Sequence, residues 1–148
     1  MQKQPVLPRR PALVLLGLAT VICALTAGCS RNRNPLDVLP NEDKARATLE
    51  KTLAAWKGGQ PYGKITGESP AIEVVDNRWQ AGNKLASFEI LQTVEKPGTP
   101  GPRWFAVKLT LQDSAQPKEI HYAVMGLDPL WVMPEEDYEK TCGMGKGE

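Results

Sequence analysis

The chain has 148 residues, of which 41% are hydrophobic, and 18 Lys and Arg against 17 Asp and Glu leave a formal charge of +1. This length fits one domain with a tail, and this balance excludes both a basic nucleic-acid-binding protein and an acidic disordered chain. Three cysteines and one histidine exclude a disulfide framework and most zinc sites, so we expect neither a metal nor a cofactor.

The first thirty residues have the pattern of an export signal. Lys3, Arg9 and Arg10 form a positive start, and residues 11–30 are uncharged and rich in Leu. A positive segment, an apolar segment and small residues before a cleavage site define such a signal. Residues 12–27 would span only about 24 Å as a helix, whereas a membrane core needs about 20 residues. The alternatives are the cleaved signal of a soluble exported protein and an uncleaved anchor.

A cysteine follows small residues at the end of the apolar segment, in Thr26-Ala27-Gly28-Cys29. This motif resembles the lipobox of bacterial lipoproteins, although Thr26 stands where the family usually has Leu. In the family, the cysteine sulfur takes a diacylglyceryl group, and a peptidase then cuts before the cysteine. The resemblance implies that residues 1–28 are a signal peptide and that lipidated Cys29 anchors the protein to a membrane of the cell envelope, outside the cytoplasm. Ser30 stands where Asp would retain the protein in the inner membrane, which implies the outer membrane facing the periplasm.

Cleavage before Cys29 changes the charge of the mature chain. The 18 basic residues fall to 15 against 17 acidic ones, so the net charge becomes −2. Residues 29–40 are expected to form a tether between the lipid and the domain. Cys142 is then the one unmodified thiol, and it is either inert or part of an intermolecular disulfide.

A helix is predicted after the tether. Asn41 is a suitable N-cap, and the acidic residues after it favour the positive end of the helix dipole. Gly58-Gly59 is expected to end the helix. The apolar residues that recur at helical spacing are Ala45, Leu49, Leu53 and Trp56. One apolar face needs one partner, and the face of a sheet would serve.

The rest of the chain alternates with period two, which is typical of strands. Residues 59–70 are rich in Gly, Pro and Ser and are expected to be a mobile lid or a plain surface loop. Strands are predicted at residues 72–79, 85–94, 104–112, 119–125 and 130–133. Because short links join antiparallel neighbours, the predicted fold is α+β, with one N-terminal helix packed on a curved antiparallel sheet of four to five strands. The domain would cover residues 41–140, including a helical turn after residue 134, and residues 141–148 would form a flexible tail.

Two resemblances follow from these elements. Their order resembles that of the cystatin-like and nuclear-transport-factor-2-like rolls. The second resemblance is carried by short groups of residues, which are Ala55-Trp56-Lys57, Asp76 with Trp79, Gly82 with Leu85, Ser87-Phe88-Glu89-Ile90, Asp128-Pro129-Leu130-Trp131-Val132 and Asp137-Tyr138. With these residues, the chain resembles a group of bacterial lipoproteins of planctomycete type. That likeness implies an exported lipoprotein and brings no activity, ligand or site.

Candidate catalytic chemistry is sparse. Enzymes on the nuclear-transport-factor-2-like roll do acid–base work in a cone between helix and sheet, and Asp76 and Tyr122 are the candidate pocket residues here. Tyr122 shares a strand face with Ile120 and Val124 and is predicted to face the core, whereas His121 points the other way. Because this separation argues against a catalytic pair, we assign no catalytic residue.

Two segments approach the pattern by which cystatins inhibit cysteine proteases. Gln92-Thr93-Val94-Glu95 approaches the hairpin loop of the family, but Lys96 replaces its glycine. Pro129-Leu130-Trp131 approaches the Pro-Trp loop, with Leu130 inserted. Strand alternation explains Gln92 and Val94 equally well.

A partner surface is predicted on the sheet face opposite Phe105. Its candidate residues are Trp104, His121 and Trp131. The alternative is that these aromatic rings cover a half-wet sheet face. The predicted function is a non-enzymatic interaction or accessory domain that meets an envelope protein. A ligand-binding or catalytic cone and a cystatin-like inhibitor remain as alternatives, and no nucleic-acid partner is expected.

Overall fold

The structure, a computed structural model, describes residues 39–96, 101–114 and 116–142. The predicted signal peptide, Cys29, residues 29–38 of the tether and residues 143–148 of the tail lie outside the described residues. No helix in the described part of the chain is long and apolar enough to cross a membrane. The elements are α1 (Glu42–Lys57), β1 (Lys64–Ile65), β2 (Ile72–Val74), α2 (Asn77–Gln80), β3 (Leu85–Val94), β4 (Arg103–Leu111), β5 (Lys118–Met125), β6 (Leu130–Pro134) and α3 (Glu135–Thr141).

Helix α1 begins and packs as its sequence predicts. The Asn41 side chain accepts a hydrogen bond from the Lys44 N–H at 2.8 Å, and the first turn is acidic. The predicted apolar stripe is buried against the sheet. Thr48 and Thr52 are also buried, because each hydroxyl donates to the carbonyl four residues earlier and so needs no water.

The strands form one sheet in the order β1-β2-β6-β5-β4-β3. The α+β class, with an N-terminal helix packed on a sheet, is confirmed. The sheet differs from the predicted one in two details, because it has six strands and because β2 runs parallel to β6. These two strands lie far apart in the sequence, so no short hairpin sets their relative direction. The sixth strand is the two-residue β1, which lies inside the predicted loop at residues 59–70.

The two faces of the sheet are covered differently. The face toward α1 carries the main core, which includes Phe105, Val107, Tyr122, Val124 and Val132. The opposite face carries a smaller cluster of Trp104, Ala123 and Met133, against which Tyr138 of α3 packs. We call these the α1 face and the α3 face. Tyr122 and His121 point to different faces, as predicted.

The strand predicted at residues 72–79 ends at Val74, and α2 follows it. The reason is local: the Asp76 carboxylate accepts the backbone N–H groups of Arg78 and Trp79, at 2.9 and 3.2 Å, and so caps a helical turn. The turn places the Trp79 indole parallel to that of Trp56, with ring centroids 5.5 Å apart. This stack joins α2 to the C-terminal end of α1.

Candidate functional site

The two predicted pocket residues, Asp76 and Tyr122, contact each other directly. The tyrosine hydroxyl donates to Asp76 Oδ2 over 2.5 Å, and each residue is 1% exposed. Strand register explains the contact. The Val75 N–H still donates to the Val132 carbonyl, whereas Tyr122 is paired with Pro134, the last residue of β6. Asp76 therefore stands where β6 ends, within reach of the β5 tyrosine.

Burial controls the ionisation of this pair. It raises the pKa of the Asp76 carboxyl above its usual value, although the Tyr122 hydroxyl and the Arg78 guanidinium act in the opposite direction. Burial also raises the pKa of Tyr122 well above its usual value, and the Asp76 charge adds to the effect. The tyrosine therefore keeps its proton near neutral pH and remains a donor. The surroundings of the pair are packed core side chains, so in this conformation it acts as a buried polar link.

Further polar contacts join α2 to α3. The Arg78 guanidinium contacts Glu136 Oε1 at 2.6 Å through Nη2. The Asn77 backbone N–H donates to Asp137 Oδ2 at 2.9 Å, and its side-chain amide donates to Asp137 Oδ1. Arg78 Nη1 is buried without a hydrogen-bond partner among the described residues, since Asp76 Oδ1 lies 3.7 Å away. These contacts fix α3 against α2.

Trp104, predicted as an exposed anchor, is instead 7% exposed. It does point away from Phe105, as predicted, but α3 covers it. The Tyr138 ring meets it edge-on with centroids 5.1 Å apart, and the Lys96 ammonium lies 4.2 Å from its centroid. The same ammonium forms an ion pair with Glu135. Because these groups enclose the indole, Trp104 is not available as an open-face anchor.

His121 lies half-buried at one side of α3. Its Nδ1 is 3.0 Å from Glu135 Oε2, and its Nε2 is 3.9 Å from Glu119 Oε1. It lines an open groove of about 460 Å³ between β5 and α3. The lining residues are Arg78, Lys118, Glu119, Ile120, His121, Glu135, Glu136 and Glu139. Asp76 and Tyr122 do not line this groove.

Trp131 lies on the other side of α3. It occupies the α3 face of β6, beside Glu73 of β2 and Met125 of β5, and it is 38% exposed. The cluster of Trp104, Ala123 and Met133 lies between it and His121. The predicted partner surface is thus divided by α3 into a charged groove and an aromatic patch.

The two segments that approach the cystatin pattern lie mostly within strands, with Glu95 just after β3 and Pro129 just before β6. Residues 92–94 belong to β3 and residues 130–131 to β6. Leu130, the residue inserted between proline and tryptophan, is buried in the main core.

Several residues of the site were not among the sequence candidates. Arg78, Glu135 and Glu136 line the groove, and Asn77 and Asp137 join the helices. A signal for them exists. Asp76 before a short polar run is an N-cap pattern, and three successive acidic residues after Pro134 suit the first turn of a helix.

Comparisons of the chain with protein-family models, with curated proteins and with solved structures found no match. The lipoprotein resemblance and the likeness to the two rolls therefore stay predictions from the sequence.

Proposed function

We propose that this protein is a lipid-anchored lipoprotein of the cell envelope, attached through Cys29 to the outer membrane and facing the periplasm. Its domain is a non-enzymatic accessory module that binds an envelope protein. The lipobox residues, Thr26 to Cys29, support the anchor. The groove between β5 and α3 carries the proposed binding role, and we call it the β5 groove.

The β5 groove suits an extended protein segment. Seven of its eight lining residues are ionisable, which does not favour an apolar ligand. Strand β6 pairs with β5 only from Tyr122 onward, so within the described residues the edge of β5 over residues 118–121 has no strand partner on that side. A free strand edge can accept an added strand, whose backbone provides affinity while side chains provide specificity.

The charges of the β5 groove favour a basic segment. Four glutamates face two fixed cations, Arg78 and Lys118. Arg78 already contacts Glu136, and Glu135 contacts Lys96. Among the described residues, no cation lies within ion-pair distance of Glu139, although its charge acts on Lys96, so Glu139 can still pair directly with a cation of the partner. Complementary charges of this kind act mainly on specificity and association rate.

The anchor is tested by Cys29→Ser, with Cys142→Ser as the matched control. We expect Cys29→Ser to move the protein from the membrane fraction to the soluble periplasmic fraction, and Cys142→Ser to leave it membrane-bound. Mass spectrometry of the mature amino terminus should show acyl chains on wild type. A wild-type protein that carries no acyl chain and still retains residues 12–27 would instead mark them as an uncleaved anchor.

The β5 groove is tested by photo-crosslinking in cells. Probes replace Glu119 and Glu139 in the groove and Glu50 on the exposed face of α1. We expect one discrete adduct from the two groove positions and none from Glu50. The adduct should vanish when the other groove glutamate is changed to Lys. An adduct indifferent to that charge reversal, or no adduct from a folded and anchored protein, would overturn the binding role.

A further inference from the structure

The hairpin between β5 and β6 exposes apolar side chains. Leu127 is 42% exposed and Trp131 is 38% exposed. The one other large hydrophobic residue exposed among the described residues is Leu91, on β3. Single exposed apolar residues are ordinary, whereas two of these three residues share one hairpin.

The turn of the hairpin holds the indole in place. Gly126 has a φ of +80°, and a Cβ there would lie 2.6 Å from the Pro129 carbonyl oxygen and 3.5 Å from Trp131 Cδ1. The backbone thus turns tightly beside the ring. Asp128 supports the turn by accepting the Ala71 N–H at 3.3 Å. Trp131 is therefore presented on a structured turn.

The described chain begins at the same end of the sheet. The Pro40 carbonyl, just before α1, accepts a hydrogen bond from Arg103 Nε at 3.3 Å. Arg103 is paired with Val124 of β5, and the next β5 residue, Met125, is paired with Trp131. The tether thus joins the domain at the same end of the sheet as the exposed indole, with Arg103 on the α1 face and Trp131 on the α3 face.

The tether is short enough to keep this end near the bilayer. Eleven peptide units separate Cys29 from Pro40, and a fully extended chain of that length spans at most roughly 40 Å. This attachment holds this end of the sheet within that distance of the bilayer, whereas the opposite end can lie farther away by the length of the sheet. Tryptophan and tyrosine are enriched at the headgroup level of a bilayer, because their rings are amphipathic.

We propose that the β5–β6 hairpin lies against the bilayer that holds the lipid anchor, with Trp131 and Leu127 in the interface. The inference rests on the proposed lipid anchor at Cys29. Two carboxylates lie beside these side chains, because Glu73 is paired with Trp131 and Asp128 lies in the turn. Since carboxylates do not attract anionic headgroups, the proposed contact is aromatic and apolar and does not need anionic lipid. His121 lies four residues along β5 from Met125, about 13 Å, so the β5 groove is separated by that distance from the proposed membrane contact.

The test uses the full-length lipidated protein in phosphatidylcholine vesicles whose acyl chains carry bromine near the headgroup. Bromine quenches only nearby indoles, and Trp56, Trp79 and Trp104 are buried. We expect wild-type emission to fall by roughly one quarter, since one of four tryptophans reaches the interface. Trp131→Phe should abolish the quenching, and Leu127→Ser should reduce it at least twofold. Leu91→Ser, at the exposed residue remote from the hairpin, should leave it unchanged.

The outcomes separate this inference from the proposed function. A protein that neither carries acyl chains nor floats with the vesicles overturns the anchor and, with it, this inference. A protein that floats with the vesicles but shows no quenching overturns the membrane contact alone. Quenching that persists in Trp131→Phe also overturns it. Quenching that appears only at high protein density, together with crosslinks between Trp131 positions, would assign the patch to a second copy of the chain.

Discussion

The two faces of the sheet are made from the same strands and are covered in different ways. On the α1 face, a helix of 16 residues packs an apolar stripe against five strands, β2 to β6. On the α3 face, a helix of seven residues covers three buried side chains and is held largely by polar contacts to α2. The first face has the larger core and holds the fold together. The second face leaves the β5 groove exposed on one side of α3 and Trp131 exposed on the other.

The difference has a simple physical origin. A long amphipathic helix excludes water from a whole sheet face, and burial of that area dominates stability. A short helix without a side-chain cap, such as α3, depends on tertiary contacts to stay formed. Regions held by few apolar contacts open most easily, and binding surfaces are often found there.

The largest effect is expected from Phe105→Ala on the α1 face. Phe105 is fully buried in the main core, and such a truncation typically removes about 3–5 kcal/mol from the free energy of unfolding. Urea denaturation followed by circular dichroism measures it. The matched change on the α3 face, Trp131→Ala at a residue that is 38% exposed, should cost less than Phe105→Ala, because much of the indole already contacts water. A cost below about 1 kcal/mol for Phe105→Ala would show that the α1 face is not the principal core.

A smaller and more local effect is expected from Asp137→Ala. The carboxylate of this buried residue accepts two donors of Asn77, and leaving buried donors unpaired costs about 1–3 kcal/mol. Hydrogen exchange should show the amides of α3 losing protection while those of β4 keep theirs. Lys140→Ala, which removes an exposed ion-pair partner of Asp137 at 3.6 Å, is the control and should cost less than about 0.5 kcal/mol. Equal loss of protection in α3 and β4 would contradict the view that α3 is held independently of the main core.

Much of the α1 face was predictable from the sequence. The helical spacing of Leu49 and Leu53 and the alternation around Phe105 and Tyr122 are local patterns, and both predicted the buried side correctly. The parallel pairing of β2 with β6 is not local. Nothing in either strand specifies a neighbour that lies far away in the chain, and a three-residue strand carries too little pattern to suggest one.

The α3 face was predictable only in part. Alternation correctly placed Trp104 opposite Phe105, but it cannot say whether another element covers that position. The cover comes from Tyr138 and Lys96, which lie outside β4. Asp76 was a sequence candidate for its chemistry, whereas its contact with Tyr122 depends on where β6 ends. That boundary is a tertiary property.

The smallest expected effect lies where the two faces meet, at the Asp76–Tyr122 pair. Asp76→Asn keeps the size of the side chain, and its one carbonyl oxygen can cap α2 as Oδ1 does. The amide nitrogen then takes the place of Oδ2 and donates to the Tyr122 hydroxyl oxygen, so the two side chains stay linked. What changes is the pH dependence. Burial raises the pKa of Asp76 in the folded protein above the ordinary value of 3.8. At a pH between 3.8 and the folded pKa, the folded protein therefore binds a proton that the unfolded chain releases.

The sign of this effect follows from proton linkage. When the folded state binds more protons, the free energy of unfolding falls as pH rises, from about pH 3.8 to the folded pKa, and is level above it. Asn has no such proton, and the other carboxyl groups are common to both proteins. The stability of wild type minus that of Asp76→Asn should therefore decrease with rising pH across this window, as measured by urea denaturation at a series of pH values. Tyr122→Phe removes the bond that favours the charged carboxylate, so it should move the decrease toward higher pH. A difference that increases with pH would mean that the Tyr122 and Arg78 contacts outweigh burial and that Asp76 is a stabilised anion within the fold.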